Sequence, residues 1–361
     1  MQNSNYYIII MAGGIGSRFW PMSRTQLPKQ FHDILGRGKT LIQETFDRYA
    51  RFIPDENIYI VTNERYKGLV EDQLPLLKDD QILLEPIGRN TAPCVAYAAY
   101  KINKINPDAT FVVAPSDHLI HDEQAFQQDI ELGLNACAEN DIIMTLGITP
   151  TRPDTGYGYI QYIDSKEKLG YYKVKTFTEK PNEEVAKSFL ESGDFIWNAG
   201  IFLFSARTIL NAFQHHLPDV AELFQELNNY YYTAEEQPKI DEAYSTCKSI
   251  SIDYGIMEKA ENVFTIPSNF GWSDLGTWGS VHENSNKDEA DNALPKESIV
   301  YDSAHNVIRT ARKDKLVVVK GLEDYIVVDT EDALLICPKS EDQFIKQIVK
   351  DVKNHYGEPY A

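Results

Sequence analysis

Along the first half of the chain, short apolar runs alternate with longer amphipathic stretches. Residues 7–11, 58–62, 82–85, 110–114 and 142–147 are nearly continuous in apolar side chains, which predicts buried strands. Residues 40–49, 64–74, 91–104 and 123–139 read as the helices between them. Strands without polar alternation need cover on both faces, and intervening helices supply it. The expected class is therefore α/β: a doubly wound, mostly parallel, Rossmann-like sheet. In such a sheet ligands lie beyond the carboxyl ends of the strands.

The section from 149 to 278 is richer in Gly, Tyr, Phe and Trp. Strands are expected at 159–162, 174–178 and 201–205, and helices at 185–192 and 206–215. This section reads as the rest of the same domain, wrapped around the sheet to complete a pocket. Residues 283–297 (ENSNKDEADNALPKE) hold few apolar side chains and read as a linker, centred on 286–297. Short strand-like runs follow at 306–310, 316–320, 325–329 and 334–337, a spacing that suits a small all-β unit or a few solenoid turns. A closing amphipathic helix over 341–355 would carry Phe344, Ile345, Ile348 and Val352 on one face. The expected organisation is a large domain over 1–285, a linker over 286–297 and a small C-terminal β domain over 298–361.

At 361 residues the chain has room for two domains, and its 43% hydrophobic content can fill a core of good size. Its 35 Lys+Arg against 54 Asp+Glu leave a net charge of −19. That balance argues against nucleic-acid or anionic-membrane partners, which need basic patches. An anionic small substrate in a local basic pocket stays open. Cys94, Cys137, Cys247 and Cys337 lie far apart with no CxxC pair, favouring buried, reduced thiols over disulfides or a zinc site. The apolar run 6–12 lacks a preceding basic segment and is too short for a signal peptide or a membrane span, so a cytoplasmic location is expected.

The first strand runs straight into Ala12-Gly13-Gly14-Ile15-Gly16-Ser17-Arg18. Glycines after a first strand let backbone N–H groups approach phosphate oxygens, although a purely structural turn also explains them. Arg18, Arg24 and Lys29 make this loop more informative, because two or three cations can hold a triphosphate. A solvated basic loop is the plain alternative. The spacing fits neither a P-loop nor the dinucleotide fingerprint.

Gly13-Gly14-x-Gly16-x-Arg18, Trp20-Pro21-x-Ser23-Arg24 and Pro28-Lys29-Gln30-Phe31 together resemble the signature of sugar-1-phosphate nucleotidylyltransferases. In particular the chain is similar to mannose-1-phosphate guanylyltransferases. Further blocks follow in family order over 8–278. They are Glu85-Pro86-Ile87-Gly88-Arg89-Asn90-Thr91-Ala92-Pro93, Pro115-Ser116-Asp117-His118, Gly156-Tyr157-Gly158-Tyr159-Ile160, Phe177-Thr178-Glu179-Lys180-Pro181, Trp197-Asn198-Ala199-Gly200 and Gly271-Trp272-Ser273-Asp274.

The resemblance implies a GT-A-type nucleotidyltransferase domain followed by a unit like a short left-handed β-helix. It implies transfer of GMP from GTP to mannose 1-phosphate, with Mg²⁺ assisting in-line attack on the α-phosphorus. Arg18 would grip the β- and γ-phosphates and Lys29 would face the α-phosphate. Ala12, Gly13, Gly14, Gly16, Glu85, Gly88, Arg89, Asn90 and Asp117 would bind the nucleotide. Gly158, Glu179, Lys180 and Asn198 would bind the sugar phosphate, and Asp117 and Asp274 the metal.

The residues themselves support these roles unevenly. Two carboxylates from distant sequence suit one Mg²⁺, yet Asp117 could cap a helix and Asp274 could stabilise a turn. Guanine presents two donors, so Glu85 is a natural acceptor, whereas Thr91 as a helix cap with Pro93 in the first turn explains part of that block structurally. Glu179-Lys180 could be an exposed strand-end ion pair. His118 is not needed as a base, since a sugar phosphate is already ionised at neutral pH. Trp197, Trp272 and Trp278 read as pocket walls or core. Competing readings are a thymidylyl- or uridylyltransferase, a catalytically silent relative, and an NAD-binding oxidoreductase, which Arg18, Lys29 and the glycine spacing disfavour. The resemblance includes longer bifunctional relatives with an isomerase-type domain; because this sequence ends soon after the β unit, that domain is not expected and a single activity is. Pairing as a homodimer stays open.

Overall fold

Apolar runs become strands here because helices cover both sides of them. The computed structural model describes residues 3–164, 169–312 and 314–361. The strands are β1 (Tyr6–Met11), β2 (Ile58–Asn63), β3 (Ile82–Glu85), β4 (Thr110–Pro115), β5 (Leu119–Ile120), β6 (Ile143–Ile148), β7 (Tyr159–Tyr162) and β8 (Tyr172–Thr178). They continue with β9 (Phe195–Ser205), β10 (Val263–Ser268), β11 (Trp272–Ser273), β12 (Ser298–Tyr301), β13 (Val307–Thr310), β14 (Val317–Lys320), β15 (Tyr325–Asp329) and β16 (Leu334–Pro338). The helices are α1 (Leu41–Ala50), α2 (Lys67–Gln73), α3 (Thr91–Ile105), α4 (Glu123–Glu139) and α5 (Glu183–Ser192). After these come α6 (Ala206–His216), α7 (Pro218–Glu226), α8 (Glu236–Thr246), α9 (Trp278–Glu283) and α10 (Ile345–Tyr356). The chain divides into two units built from interleaved segments. The first holds Met1–Gly13, Phe46–Ser116 and Ile120–Trp272, and the second holds Gly14–Thr45, Asp117–Leu119 and Ser273–Ala361.

The first unit is organised by a nine-stranded sheet in the order β3-β2-β1-β4-β9-β6-β10-β8-β7. Its two faces are legible in alternation along β9. Phe202 and Phe204 join a core with Tyr97 of α3, Phe213 of α6, Phe224 of α7 and Tyr244 of α8. Leu203, between them, faces α4, whose Cys137 donates to the Leu203 carbonyl.

The sheet is mixed, which corrects the mostly parallel expectation. β1 runs parallel to β2 and β4, β2 to β3, and β6 to β10. β9 lies antiparallel to β4, β6 and β7, and β8 is antiparallel to β7 and β10. An apolar run reports burial on both faces and carries no sign of strand direction. β9 is also longer than expected, beginning at Phe195 instead of 201. Asn198 and Gly200, the latter at φ 68°, interrupt its apolar run and hide its first half from pattern reading.

The second unit shares one hydrophobic core between the glycine loop and the C-terminal strands. Phe19, Trp20, Ile34 and Leu41 pack with Leu275, Trp278 and Val281, and with Val307, Ile326, Val328, Leu335 and Ile345. β12 pairs in parallel with β14 and β13 with β15, with the same sequence spacing in both, as expected of successive coils. β16 closes this small sheet antiparallel to β15. The polar stretch expected as a linker contributes to this core: Ala293 is fully buried and bridges to Val307. Ile345, Ile348 and Val352 face the core, but Phe344 is exposed because it precedes α10 in a separate 3₁₀ segment.

All four cysteines are buried and free. Among the described residues, no helix is long and apolar enough to cross a membrane. Trp278 is fully buried, with its ring centroid 5.0 Å from that of Phe19. Trp278→Ala is expected to destabilise the protein by about 3–5 kcal/mol in denaturant unfolding. A loss below about 1 kcal/mol would contradict this account of the shared core.

Candidate active site

Three segments of the second unit meet around one ammonium group. The Lys29 side chain is 4% exposed, and its Nζ donates to Asp117 Oδ2 and to the Asp274 backbone carbonyl, each at 2.9 Å. It also lies 5.1 Å from the centroid of the Phe19 ring. The backbone N–H of Lys29 donates to the Ile15 carbonyl at 3.1 Å, which ties the residue to the glycine loop. Gly16 adopts φ +72°, and a Cβ there would stand 2.6 Å from Lys29 Cβ. Glycine is thus required twice, for the left-handed backbone and for room.

Arg18 lies in a short turn after the glycines, and its Nη1 donates to the Gly276 carbonyl at 3.3 Å. Its Nε is buried with no hydrogen-bond partner. Gly276 donates its N–H to Asp274 Oδ1 at 3.0 Å, so the turn-stabilising role expected of Asp274 is present together with its place beside Lys29. Burial works against ionising Asp117, but the Lys29 ammonium outweighs it and holds the carboxyl below its ordinary range. Arg18, Lys29, Asp117 and Asp274 are therefore assembled in one unit. Gly14 borders open space. Arg24 does not join them: its guanidinium pairs with both oxygens of Asp332 at 2.8 and 2.6 Å.

In the first unit, Glu85 ends β3 and is buried. Tyr244 of α8 donates its hydroxyl to Glu85 Oε1 at 3.0 Å. A Cβ on Gly13 would stand 3.5 Å from Glu85 Oε2, so this glycine borders the carboxylate. Burial pushes the Glu85 carboxyl up to about 7, and the Tyr244 hydroxyl offsets part of that rise. Ala12 is held at the end of β1 by Thr62, which donates to its carbonyl at 2.8 Å. Gly88 borders open space. Arg89 donates to the carbonyls of Tyr244 and Ser245 at 3.0 and 3.1 Å, gripping the end of α8. Asn90, at φ 69°, caps α3 by accepting from the Thr91 N–H at 2.9 Å. The cap is therefore Asn90 and not Thr91, whose hydroxyl accepts from Ile252 N–H at 2.9 Å.

A second polar cluster of the first unit gathers Gly158, Glu179, Lys180 and Asn198. A Cβ on Gly158 would stand 2.5 Å from Glu179 Oε2 and 3.2 Å from Asn198 Cβ. Glu179 Oε1 accepts from Lys180 Nζ at 2.7 Å, and its side chain is 7% exposed. The carboxylate of the pair is therefore buried, while the Lys180 side chain stays 56% exposed, so the strand-end contact that sequence allowed is solvated on the cation's side alone. Glu179 Oε2 is buried with no hydrogen-bond partner, a site for a donor. Asn198 accepts from Thr145 and from Gly200 N–H, and donates to Asp253 Oδ1 at 3.1 Å. Burial first, then the Glu179 charge, raises the Asp253 carboxyl above the ordinary range.

Sequence reasoning missed Tyr244 and Asp253. Tyr244 looks like one more core aromatic of an amphipathic helix. Asp253 opens a π-helical turn (Asp253–Met257), a local irregularity that enriches for function but leaves no periodic trace in sequence. Among the described residues, no group of three or more His, Cys, Asp and Glu forms a metal cage. Asp117 brings its carboxylate and Asp274 its backbone carbonyl to the Lys29 ammonium, and their two carboxylates are the hard oxygen donors that the sequence reading assigned to Mg²⁺.

The nucleotidyl transferase family model matches residues 7–291, and a MannoseP isomerase/GMP-like β-helix domain model matches 296–352. The chain belongs to the nucleotidyl transferase family. The family model covers the segments that carry Lys29, Asp117, Asp274, Glu85 and Glu179. The alginate biosynthesis protein AlgA of Pseudomonas aeruginosa is 39% identical over 348 residues, 95% of this chain and 71% of that protein. Mannose-1-phosphate guanylyltransferase 2 of Escherichia coli O157:H7 is 35% identical over 364 residues, 98% of this chain and 74% of that one. A crystal structure of mannose-1-phosphate geranyltransferase from Thermus thermophilus is similar at a TM-score of 0.86 and 31% identity, covering 97% of this chain and 99% of that chain.

Two outcomes test these clusters. Gly16→Ala is expected to cost about 1–3 kcal/mol of stability, read from thermal unfolding, because it strains the backbone and displaces Lys29. The raised Asp253 carboxyl contributes stability at low pH that is lost as pH climbs from about 4, its unfolded value, through the raised folded one. Asp253→Asn should therefore melt above the wild type at pH 8, with the gap closing towards pH 4. An equal gap at both pH values would contradict the burial account.

Proposed function

We propose that this protein transfers GMP from GTP to mannose 1-phosphate, forming GDP-mannose and releasing pyrophosphate. The observation that carries the reading is the buried Lys29 between Asp117 and Asp274 with Arg18 in the same unit. It occurs in a chain 35% identical over 98% of its length to a protein named mannose-1-phosphate guanylyltransferase 2.

An oxygen of the sugar phosphate attacks the α-phosphorus of GTP. As that phosphorus–oxygen bond forms, the opposite one breaks, and its electron pair leaves with pyrophosphate. The attacking phosphate is already ionised, so the chemistry calls for positioning and charge rather than a protein base. Two anions repel until their charge is offset. Lys29 faces the α-phosphate and Arg18 the β- and γ-phosphates. Asp117 and Asp274 would hold Mg²⁺, which when bound supplies further charge neutralisation at the phosphates.

Gly13, Gly14 and Gly16 leave the loop backbone open to phosphate oxygens, with Ala12 anchoring its start. Glu85 accepts from the two donors of guanine, while Arg89 and Asn90 act by holding the helix ends around it. Gly88 leaves space for the nucleotide. On the sugar side, Glu179 Oε2 is an acceptor in want of a hydroxyl, Asn198 offers an N–H, and Lys180 pairs with the phosphate. Gly158 keeps the space above Glu179 open, and Asp253 joins the same cluster. A nucleotide-consuming reaction of this kind suits a cytoplasmic protein.

Lys29→Ala and Asp274→Asn are expected to lower Mg²⁺-dependent pyrophosphate release about a hundred- to a thousandfold while both variants stay folded. Near-wild-type turnover in either would overturn the assignment. A panel of nucleoside triphosphates against several hexose 1-phosphates should single out GTP with mannose 1-phosphate. Equal turnover with another pair would redirect the substrate reading.

A further inference from the structure

Helix α8 is latched to the strand and loop that carry Glu85. At its first turn, Glu236 is buried and its Oε1 accepts from Lys101 Nζ at 2.8 Å and Tyr97 OH at 2.7 Å. Its Oε2 accepts from the Tyr232 N–H at 2.6 Å. Gln237 donates to the carbonyl of Leu84, the residue before Glu85, at 3.2 Å. At the far end, Arg89 grips the carbonyls of Tyr244 and Ser245. The cation there also faces the negative end of the helix dipole. A helix held only for its apolar face needs neither a buried ion pair nor a guanidinium clamp, and a buried pair by itself adds little stability. What the two ends fix together is the place of the Tyr244 hydroxyl.

We infer that Tyr244 is a positioning residue for base selection, its hydroxyl holding one oxygen of Glu85 so that the other is presented to guanine. The inference rests on the proposed reading of Glu85 as the guanine acceptor. Tyr244 is fully buried and donates to Oε1, while Oε2 lies on the side of Gly13. A tyrosine donor satisfies one oxygen and favours the ionised, acceptor-only form of the carboxyl. That form complements the N1–H and exocyclic amine of guanine. A protonated Glu85 would instead turn a donor towards those donors. The titratable or charged groups around Glu85 are Tyr244 of α8, Cys247 just beyond it, Cys94 of α3 and Arg89 of the intervening loop. Burial pushes both thiols up, so among these neighbours the tyrosine is the donor that favours the carboxylate.

The test uses the full chain with GTP and with ITP, which lacks the exocyclic amine, at saturating mannose 1-phosphate. Tyr244→Phe is expected to raise KM for GTP on the order of tenfold with kcat changed little, and to narrow the GTP-over-ITP preference. Part of the KM rise should be recovered between pH 7 and pH 8.5, as the carboxyl ionises without its donor. Arg89→Lys, which keeps the tyrosine but loosens the helix end that places its hydroxyl, should shift the preference in the same direction and keeps the idea testable should Tyr244→Phe unfold. Glu85→Gln separates the two readings. Loss of preference in Glu85→Gln with wild-type KM and preference in Tyr244→Phe overturns the role of Tyr244 alone. Unchanged preference in Glu85→Gln overturns the guanine assignment itself.

Discussion

A buried ammonium cannot stand alone, and that constraint shapes the second unit. Lys29 is almost wholly out of solvent, where an unpaired charge would cost several kcal/mol. Its partners are a carboxylate from 117–119 and a carbonyl from the segment beginning at Ser273. Three stretches far apart in sequence are thereby held to one atom. Gly16 enters the same constraint, because only a residue without a side chain leaves room for the lysine stem. A charge held in low dielectric acts more strongly on its neighbours than one in water, so the desolvation that makes Lys29 costly alone also strengthens its hold on Asp117.

The apolar packing beneath this centre explains why the C-terminal coils accompany the glycine loop. Phe19, next to Arg18 and under the Lys29 ammonium, shares a core with Trp278 and with strand residues such as Val307 and Ile326. Arg24, at the outer side of the loop, pairs with Asp332. The β unit therefore braces the segment that presents the cations. The expected linker belongs to that brace, since Ala293 is part of the core.

The first unit spends its burial differently, on carboxylates. Glu85 and Asp253 are both raised by desolvation, and Glu179 keeps one oxygen without a partner. Such groups lower stability unless something else satisfies them, and substrate hydroxyls or base N–H groups are suited to do so. Strand ends, a π-helical turn and the end of α8 supply them, each a place where regular hydrogen bonding runs out and side chains can face a ligand.

Much of this was readable before the fold was known. Apolar runs reported the central strands because burial on both faces leaves a continuous trace, and the glycines, Arg18 and Lys29 marked one loop that the fold keeps together. Glu179, Asn198 and Gly158 were likewise grouped by motif. Strand direction was not readable, so the antiparallel course of β9 appears only in the fold. Nor was the commitment of Arg24 to Asp332, or of Arg89 to the end of α8, because a cation's partner depends on what packs beside it. Tyr244 and Asp253 looked like ordinary core and turn residues for the same reason. Residue type and spacing record which positions are buried, charged or flexible; which of them meet is decided by packing between segments that sequence order keeps apart.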